Sequence, residues 1–489
     1  RRWRVLMWWG WWLCVGVVAL LGVAFLKHFL LDFWMRTPSK APPSLPGPLP
    51  FFGNVIPFAK DPVGFMESRL AKHGSVFRFR LAGLWISLLD MPDRHGFFFN
   101  KPEQVLSFRG AYVNMFKDVV GEDAFAVTVP VKTLFRSGMD SSKYHGFAGL
   151  IVGEVEEFFA PWVERARKAG SQGVPFRLFR EFNELVLTTT CRCLMGQEVR
   201  DTPGLFDRLH DIEGGFNAVG LFLPGLPLPD LIKRRRARDA ILEAFGNIIR
   251  KRKSTCVEAE DMLQVLLEAR DENGDPLPEN HLKGLLLSFI FVGQVQTYGA
   301  AAWTVLHLLN NPDRLSIVLE ELHRETQGQR LDFAALCRLH ELHKCLKESV
   351  RLTAPVLMLR KVGPEGLELP ESGGMFVPAG ELVAVSPYVL HHRPDIYPRP
   401  FDWLPQRWDE DSDLVHPPAS NMHFIGFGKG LHSCLGEAFA YLEMKAMIAT
   451  LLHHFSPCME GPMPEPDFTH LGGLVVPKKE CAFHLVLRE

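Results

Sequence analysis

Beyond residue 55 most of the chain carries apolar side chains every three to four positions, the spacing of helices that bury one face. The clearest such stretches are Glu154 to Arg167, Phe179 to Leu194, Arg234 to Arg252, Leu282 to Leu309, Pro312 to Thr326 and Leu342 to Leu352. Strand-like pieces are short and clustered: Val76–Leu81, Ile86–Leu89, Met375–Val377, Leu382–Val385 and Phe483–Val486. These patterns predict a mainly α fold with small β-sheets and no internal repeat. Asp271 to Asn280 combines Asn-Gly with prolines, which is turn chemistry between helices rather than a calcium loop.

A different pattern occupies the start. Val5 to Leu26 is 22 residues without a charge, enough at about 1.5 Å per residue to cross a bilayer as a helix. Trp8, Trp9, Trp11 and Trp12 are placed for a membrane interface, and no small-residue cleavage site follows the run. Residues 1–36 are therefore expected to be an uncleaved membrane anchor. Five prolines fall between Pro42 and Pro50, so residues 37–54 are expected to be a stiff, extended hinge, with a catalytic domain over 55–489.

Composition narrows the class. The 489 residues are 47% hydrophobic and 22% charged, with net charge −2, so nothing recruits nucleic acid. Nine scattered cysteines suit reduced thiols in a cytosol-facing domain better than a disulfide framework. Cys191-Arg-Cys193 has the wrong spacing for a redox pair or a zinc knuckle and reads as two helix residues. The chain has no dinucleotide fingerprint, phosphate loop, metalloprotease helix or nucleophile elbow.

The informative segment is Phe424 to Lys445, FIGFGKGLHSCLGEAFAYLEMK. Glycines before Cys434 permit a tight loop and a close approach of backbone to a flat ligand. A sulfur at a helix start is stabilised as thiolate by the dipole and by backbone N–H groups. Phe427-Gly428-Lys429-Gly430-Leu431-His432-Ser433-Cys434-Leu435-Gly436 matches F-x-x-G-x-[RH]-x-C-x-G, the cytochrome P450 signature. Glu348-Ser349-Val350-Arg351 resembles the family's E-x-x-R, and Pro400 to Trp408 resembles the following meander, in which the Arg407 position joins Glu348 and Arg351. The order and spacing of the three blocks agree, and the proline hinge extends the resemblance over nearly the whole chain.

The resemblance implies the P450 fold behind a single transmembrane helix, haem b, and Cys434 as the ligand of the haem iron. It places His432, Arg360, Tyr112, Arg136, Phe427, Gly428 and Gly436 among the cofactor-binding positions. A proximal thiolate favours O–O cleavage, which implies a monooxygenase fed with electrons from NADPH by a cytochrome P450 reductase, in the endoplasmic reticulum membrane with its catalytic domain facing the cytosol. Gly214-Gly215-Phe216, Leu223 to Pro229, the basic run Lys233 to Arg236, Thr353-Ala354-Pro355 and Gly436 to Tyr441 are similar to the sterol 14α-demethylase branch. The implied substrate is a sterol or similar bulky lipid drawn from membrane lipid, and 14α-demethylation is the reaction of that branch.

The long helix departs from the branch. Demethylases read A-G-Q-H-T-S where this chain reads Val292-Gly293-Gln294-Val295-Gln296-Thr297. Val295 stands at the acid-or-histidine position, Gln296 at the usual threonine, and Phe125 at a tyrosine that contacts a propionate. Valine cannot relay a proton. Gln296 could hold a water, and Thr297, about 100° further round the helix, could supply the hydroxyl. With Phe125, Val292, Gly293 and Val295 as substrate-pocket positions, three readings stand: a monooxygenase with a rearranged relay; an isomerase or dehydratase acting on an already oxidised lipid without a reductase; and a haem- or sterol-binding protein without catalysis.

Overall fold

In the computed structural model the described residues are 16–17, 19–23, 40–48, 52–92, 95–121, 124, 135, 143–214, 227–255, 261–271, 273–370, 372–415, 422–469 and 475–488. Most of the expected anchor helix and of Gly214 to Pro229, together with Phe125 and Arg136, lies outside them. The chain divides into two units, one built from residues up to Phe108 with Leu359–Val385, the other from Arg109–Met358 with Ser386–Glu489.

The smaller unit is organised by a six-stranded sheet. Its strands are β1 (Ser44–Leu45), β2 (Val76–Leu81), β3 (Leu84–Leu89), β4 (Leu106–Ser107), β5 (Met358–Val362) and β6 (Leu382–Val385), in the order β1-β2-β3-β6-β5-β4. β2 and β3 form a hairpin with Val76 opposite Leu89 and Leu81 opposite Leu84. Ala82, at φ 46°, turns the chain between them together with Gly83 at φ 83°. β1 comes from inside the proline-rich stretch and pairs in parallel with Arg78 and Phe79. Arg78 secures this edge, its Nε donating to Ser44 Oγ at 2.7 Å and its Nη1 meeting Glu381 at 2.8 Å.

The larger unit is helical: α1 (Tyr144–Ala169), α2 (Leu178–Thr190), α3 (Leu205–Gly214), α4 (Pro229–Thr255), α5 (Glu279–Leu309), α6 (Pro312–Thr326), α7 (His340–Leu352) and α8 (Glu437–His454). The helices α2, α4, α7 and α8 all pack on α5, and α1 packs on α8. α5 is long and apolar enough to cross a bilayer, yet Leu285, Leu286, Leu287, Ala301, Ala302 and Leu306 are buried in the protein, which makes it the unit's core helix. Trp303, 2% exposed, fixes its C-terminal half by donating Nε1–H to the Val475 carbonyl at 2.7 Å. The expected stretch Phe179 to Leu194 proves to be α2 followed by a π-helical turn, Cys191–Met195, which Gly196 ends at φ 90°. The wider turn buries both Cys191 and Cys193. Asp271 Oδ1 accepts from the backbone N–H groups of Asn273 and Asp275, both at 2.9 Å, which closes the Asn-Gly turn.

Candidate active site

The loop before α8 is built by its glycines. Gly428 and Gly430 sit at φ 66° and φ 60°, where a Cβ would be strained. Gly428 N–H donates to Ile425 O at 2.9 Å and Ser433 N–H to Gly430 O at 3.2 Å. The loop closes where Cys434 N–H donates to the Phe427 carbonyl at 2.8 Å. Cys434 is exposed, unlike the buried Cys191, Cys193 and Cys345. Gly436 follows at φ −88°, and a Cβ there would meet the Cys434 sulfur at 3.8 Å. A soft, accessible sulfur with backbone folded round it fits a thiolate-bound iron cofactor. His432 lies partly exposed in the turn Gly430–His432, and Phe427 packs its ring 5.2 Å from Tyr441. Tyr112, on the helix Phe108–Val120, sits edge-on to Phe116 at 5.9 Å.

Behind the loop lies a fully buried network. Glu348 and Arg351, one turn apart on α7, meet through two N–H···O bonds of 2.9 Å. Arg407 Nε adds a third at 3.0 Å, Leu404 N–H a fourth and Trp408 Nε1–H a fifth, both at 3.1 Å. One carboxylate between two guanidiniums leaves one positive charge in excess. Backbone carbonyls absorb it: Arg351 donates to His391, Pro400 and Asp402, and Arg407 to Leu414 and Arg399. Burial holds the Arg407 pKa below the ordinary guanidinium value, which the Glu348 charge opposes. The network reaches the loop through His391, which packs flat on Phe424 and takes the Ile425 N–H on Nε2 at 3.0 Å.

On α5 the departed segment splits between two faces. Val292 is 70% exposed and Gln296, one turn later, is also exposed, with Gly293 and Val295 half-buried beside them. Thr297 is buried, and its hydroxyl donates to the Gly293 carbonyl at 2.8 Å. Gln294 is buried on the other side and donates to the Asn183 carbonyl oxygen on α2. Thr297 and Gln296 are thus separated, and the open face belongs to Gln296. In the smaller unit Arg360 is buried on β5, with its guanidinium over the rings of Phe108 at 5.0 Å and Phe98 at 5.5 Å.

Sequence reading passed over Glu443. This α8 carboxyl is buried, pairs with no cation among the described residues, and accepts from the hydroxyls of Thr189 and Thr190 on α2. Burial pushes its pKa up to about 8, so it is held largely as the neutral acid at pH 7. No local signal marks it, since its partners lie more than 250 residues away in the chain.

Comparison with known proteins agrees over nearly the full length. The model of the family described as Cytochrome P450 matches residues 42–485. The lanosterol 14-alpha demethylase of Cunninghamella elegans is 29% identical, with 96% of each chain covered. The sterol 14-demethylase of Arabidopsis thaliana is 31% identical, with 93% of each covered. Among solved structures, the retinoic acid-bound cyanobacterial CYP120A1 superposes with a TM-score of 0.76 at 24% identity, covering 92% of this chain and all of that one, which is a likeness of fold.

Proposed function

Since the chain belongs to the cytochrome P450 family and is an oxidoreductase of the monooxygenase type, we propose that it oxidises a sterol or similarly bulky lipid, with removal of a 14α-methyl group as the reaction. The relatives' sterol 14-demethylase names support the substrate class, and the accessible Cys434 sulfur at the head of α8 is the observation that carries the chemistry. Haem, held by Cys434, would supply oxygen activation. The Phe427 carbonyl fixes the Cys434 backbone, Gly436 leaves the sulfur uncrowded, and His432 and Tyr112 are the described candidates in this unit for a propionate. NADPH would deliver electrons through a separate reductase. An N-terminal anchor in the endoplasmic reticulum membrane would hold the cytosolic domain beside the lipid that dissolves its substrate.

Proton delivery must work without the usual side chains. Val295 offers no proton, and the Thr297 hydroxyl is committed to Gly293. Gln296, exposed one turn beyond Val292, is the side chain that can hold a water at the open face of α5. The substrate class is tested by titrating the holoprotein with a sterol panel and following the haem spin-state shift. Saturable shifts with 14α-methyl sterols, absent with fatty acids, are expected; the reverse preference would sink the assignment. The sulfur is tested by Cys434→Ala, which should abolish the thiolate band of the reduced, CO-bound protein. Turnover of an oxidised lipid without a reductase, and no reductase-dependent turnover of a sterol, would favour the isomerase reading suggested by Val295.

A further inference from the structure

The buried row of α3 ends in a carboxyl. Leu205, Leu209 and Ile212 are buried along one side of this helix. Glu213 stands four residues after Leu209, where the next apolar side chain of the row would fall. Its side chain is 19% exposed. There it accepts a long hydrogen bond, 3.5 Å, from the side-chain N–H of Asn183 on α2. The Asn183 amide is held in that orientation because its carbonyl oxygen accepts from the Gln294 N–H of α5. One amide thus joins three helices, linking α3 to α5 by way of α2. Two oxygens of the group remain: Glu213 Oε1 and Gln294 Oε1 are buried with no hydrogen-bond partner among the described residues.

The surrounding charges do little for a carboxylate at this position. α4 packs along α3, but its Lys233 pairs with Asp211 and its Arg234 with Asp118, both at 2.6 Å. α2 presents the neutral amide of Asn183. α5 presents the phenol of Tyr298, 5% exposed, whose pKa is raised by burial and further by the Glu213 charge. Among the described residues the one cationic group within ion-pair distance is His210 on α3 itself, 3.9 Å away and 73% exposed. An ionised Glu213 therefore leaves Oε1 an anionic acceptor without a donor. A proton on that oxygen turns it into a donor, while Oε2 goes on accepting from Asn183. Burial raises the Glu213 carboxyl to about 7, against the lowering effect of the Asn183 bond. We propose that Glu213, Asn183 and Gln294 form a proton-operated latch, in which the neutral acid ties the C-terminal turn of α3 to the core helix α5 and ionisation releases that turn. Because the folded value lies above the ordinary one of 4.5, the latch is complete below about 4.5 and is lost as pH rises through about 7.

The test uses the holoprotein and hydrogen–deuterium exchange read by mass spectrometry at pH 6 and pH 8, with labelling times scaled to the intrinsic exchange rates. The peptide spanning Leu205–Gly214 should exchange about tenfold faster at pH 8, the change in open population that a carboxyl with these two pKa values gives. A peptide from α6 should not change. Glu213→Gln keeps a neutral acceptor for Asn183 and should hold the pH 6 protection at both pH values. Asn183→Leu removes the joining amide and should exchange fast at both. His210→Gln should keep the wild-type response. Equal corrected rates at the two pH values in the wild type would overturn the proposal. So would a pH response that survives in Glu213→Gln, fast exchange of that variant at both pH values, wild-type behaviour of Asn183→Leu, or loss of the response in His210→Gln, which would move the proton to the imidazole. Glu213 is partly exposed, so Glu213→Gln keeps the test decisive where the buried Asn183 variant fails to fold.

Discussion

Replacing Glu348 with Gln keeps the side chain's shape and removes one charge from the centre of the network behind the cysteine loop. The carboxylate accepts five N–H donors, three on one oxygen and two on the other. A glutamine converts one acceptor into a donor, so either Arg407, Leu404 and one Arg351 N–H, or Trp408 and the other Arg351 N–H, face an NH₂ group. Two guanidiniums with no solvent-exposed side-chain surface also lose the negative charge between them. Removing one partner from a buried pair costs about 3–5 kcal/mol, and the stranded donors are part of that figure rather than an addition to it. Net stabilities are about 5–15 kcal/mol, so the variant gives up a large share. Urea unfolding of the holoprotein, followed by helix circular dichroism, should show this loss. The thiolate band should vanish at lower urea than the helix signal, because the network reaches the loop through His391 and Ile425. Lys478→Ala, which breaks the surface pair with Glu465, should leave the midpoint unchanged. A Glu348→Gln loss below about 1 kcal/mol would refute the view that this carboxylate neutralises the network.

Gln296→Leu should lower the fraction of consumed electrons that reach product by several-fold, and Thr297→Val should lower it less, because that hydroxyl is bonded to Gly293; the opposite order would return the relay to Thr297. Gly428→Ala should cost about 1–2 kcal/mol and broaden the thiolate band, since it forces a Cβ to φ 66°. Gly436→Ala, at φ −88° and 3.8 Å from the sulfur, should not lower stability, and equal costs at the two positions would count against the strain argument. Glu443→Gln should flatten the pH dependence of the urea midpoint. A carboxyl whose folded pKa is raised to about 8 contributes stability that is complete below about 4.5 and is lost as pH rises through 8. Glu213, raised to about 7, acts in the same sense over a lower window, so pH 7 to 8 is where an unchanged slope in the Glu443 variant would contradict the assignment.

How much of this was legible depended on whether the signal lies in neighbours along the chain. The expected helix Pro312 to Thr326 and strands Val76–Leu81 and Leu382–Val385 appear with those limits, because one buried face imposes a period and Pro or Gly marks the ends. The cysteine loop was legible for the same reason, since its turns need glycine at fixed offsets from Cys434. The 31-residue α5 was recognised from Leu282 onward, one turn after its true start at Glu279, where Pro278 precedes the first turn.

What escaped were contacts made by side chains on different elements. Glu443 and Thr189 each look like an ordinary helix residue, and only packing α8 against α2 turns them into a buried neutral acid with hydroxyl donors. The Gln296 and Thr297 choice lies between these cases. Helical geometry put them on different faces, but which face stays open is set by α2 and the other neighbours of α5. Valine at 295 therefore need not mean lost oxygen chemistry. Because Gln296 shares the open face with Val292 while Thr297 is bonded inward, the change in the motif moves the candidate water-holding group by one position without closing the helix to a proton. The proximal half, where Cys434, Gly428, Glu348, Arg351 and Arg407 follow the family pattern, constrains the cofactor. The distal half, where Val295 and Gln296 depart from it, is where the proposed substrate and proton route are to be tested.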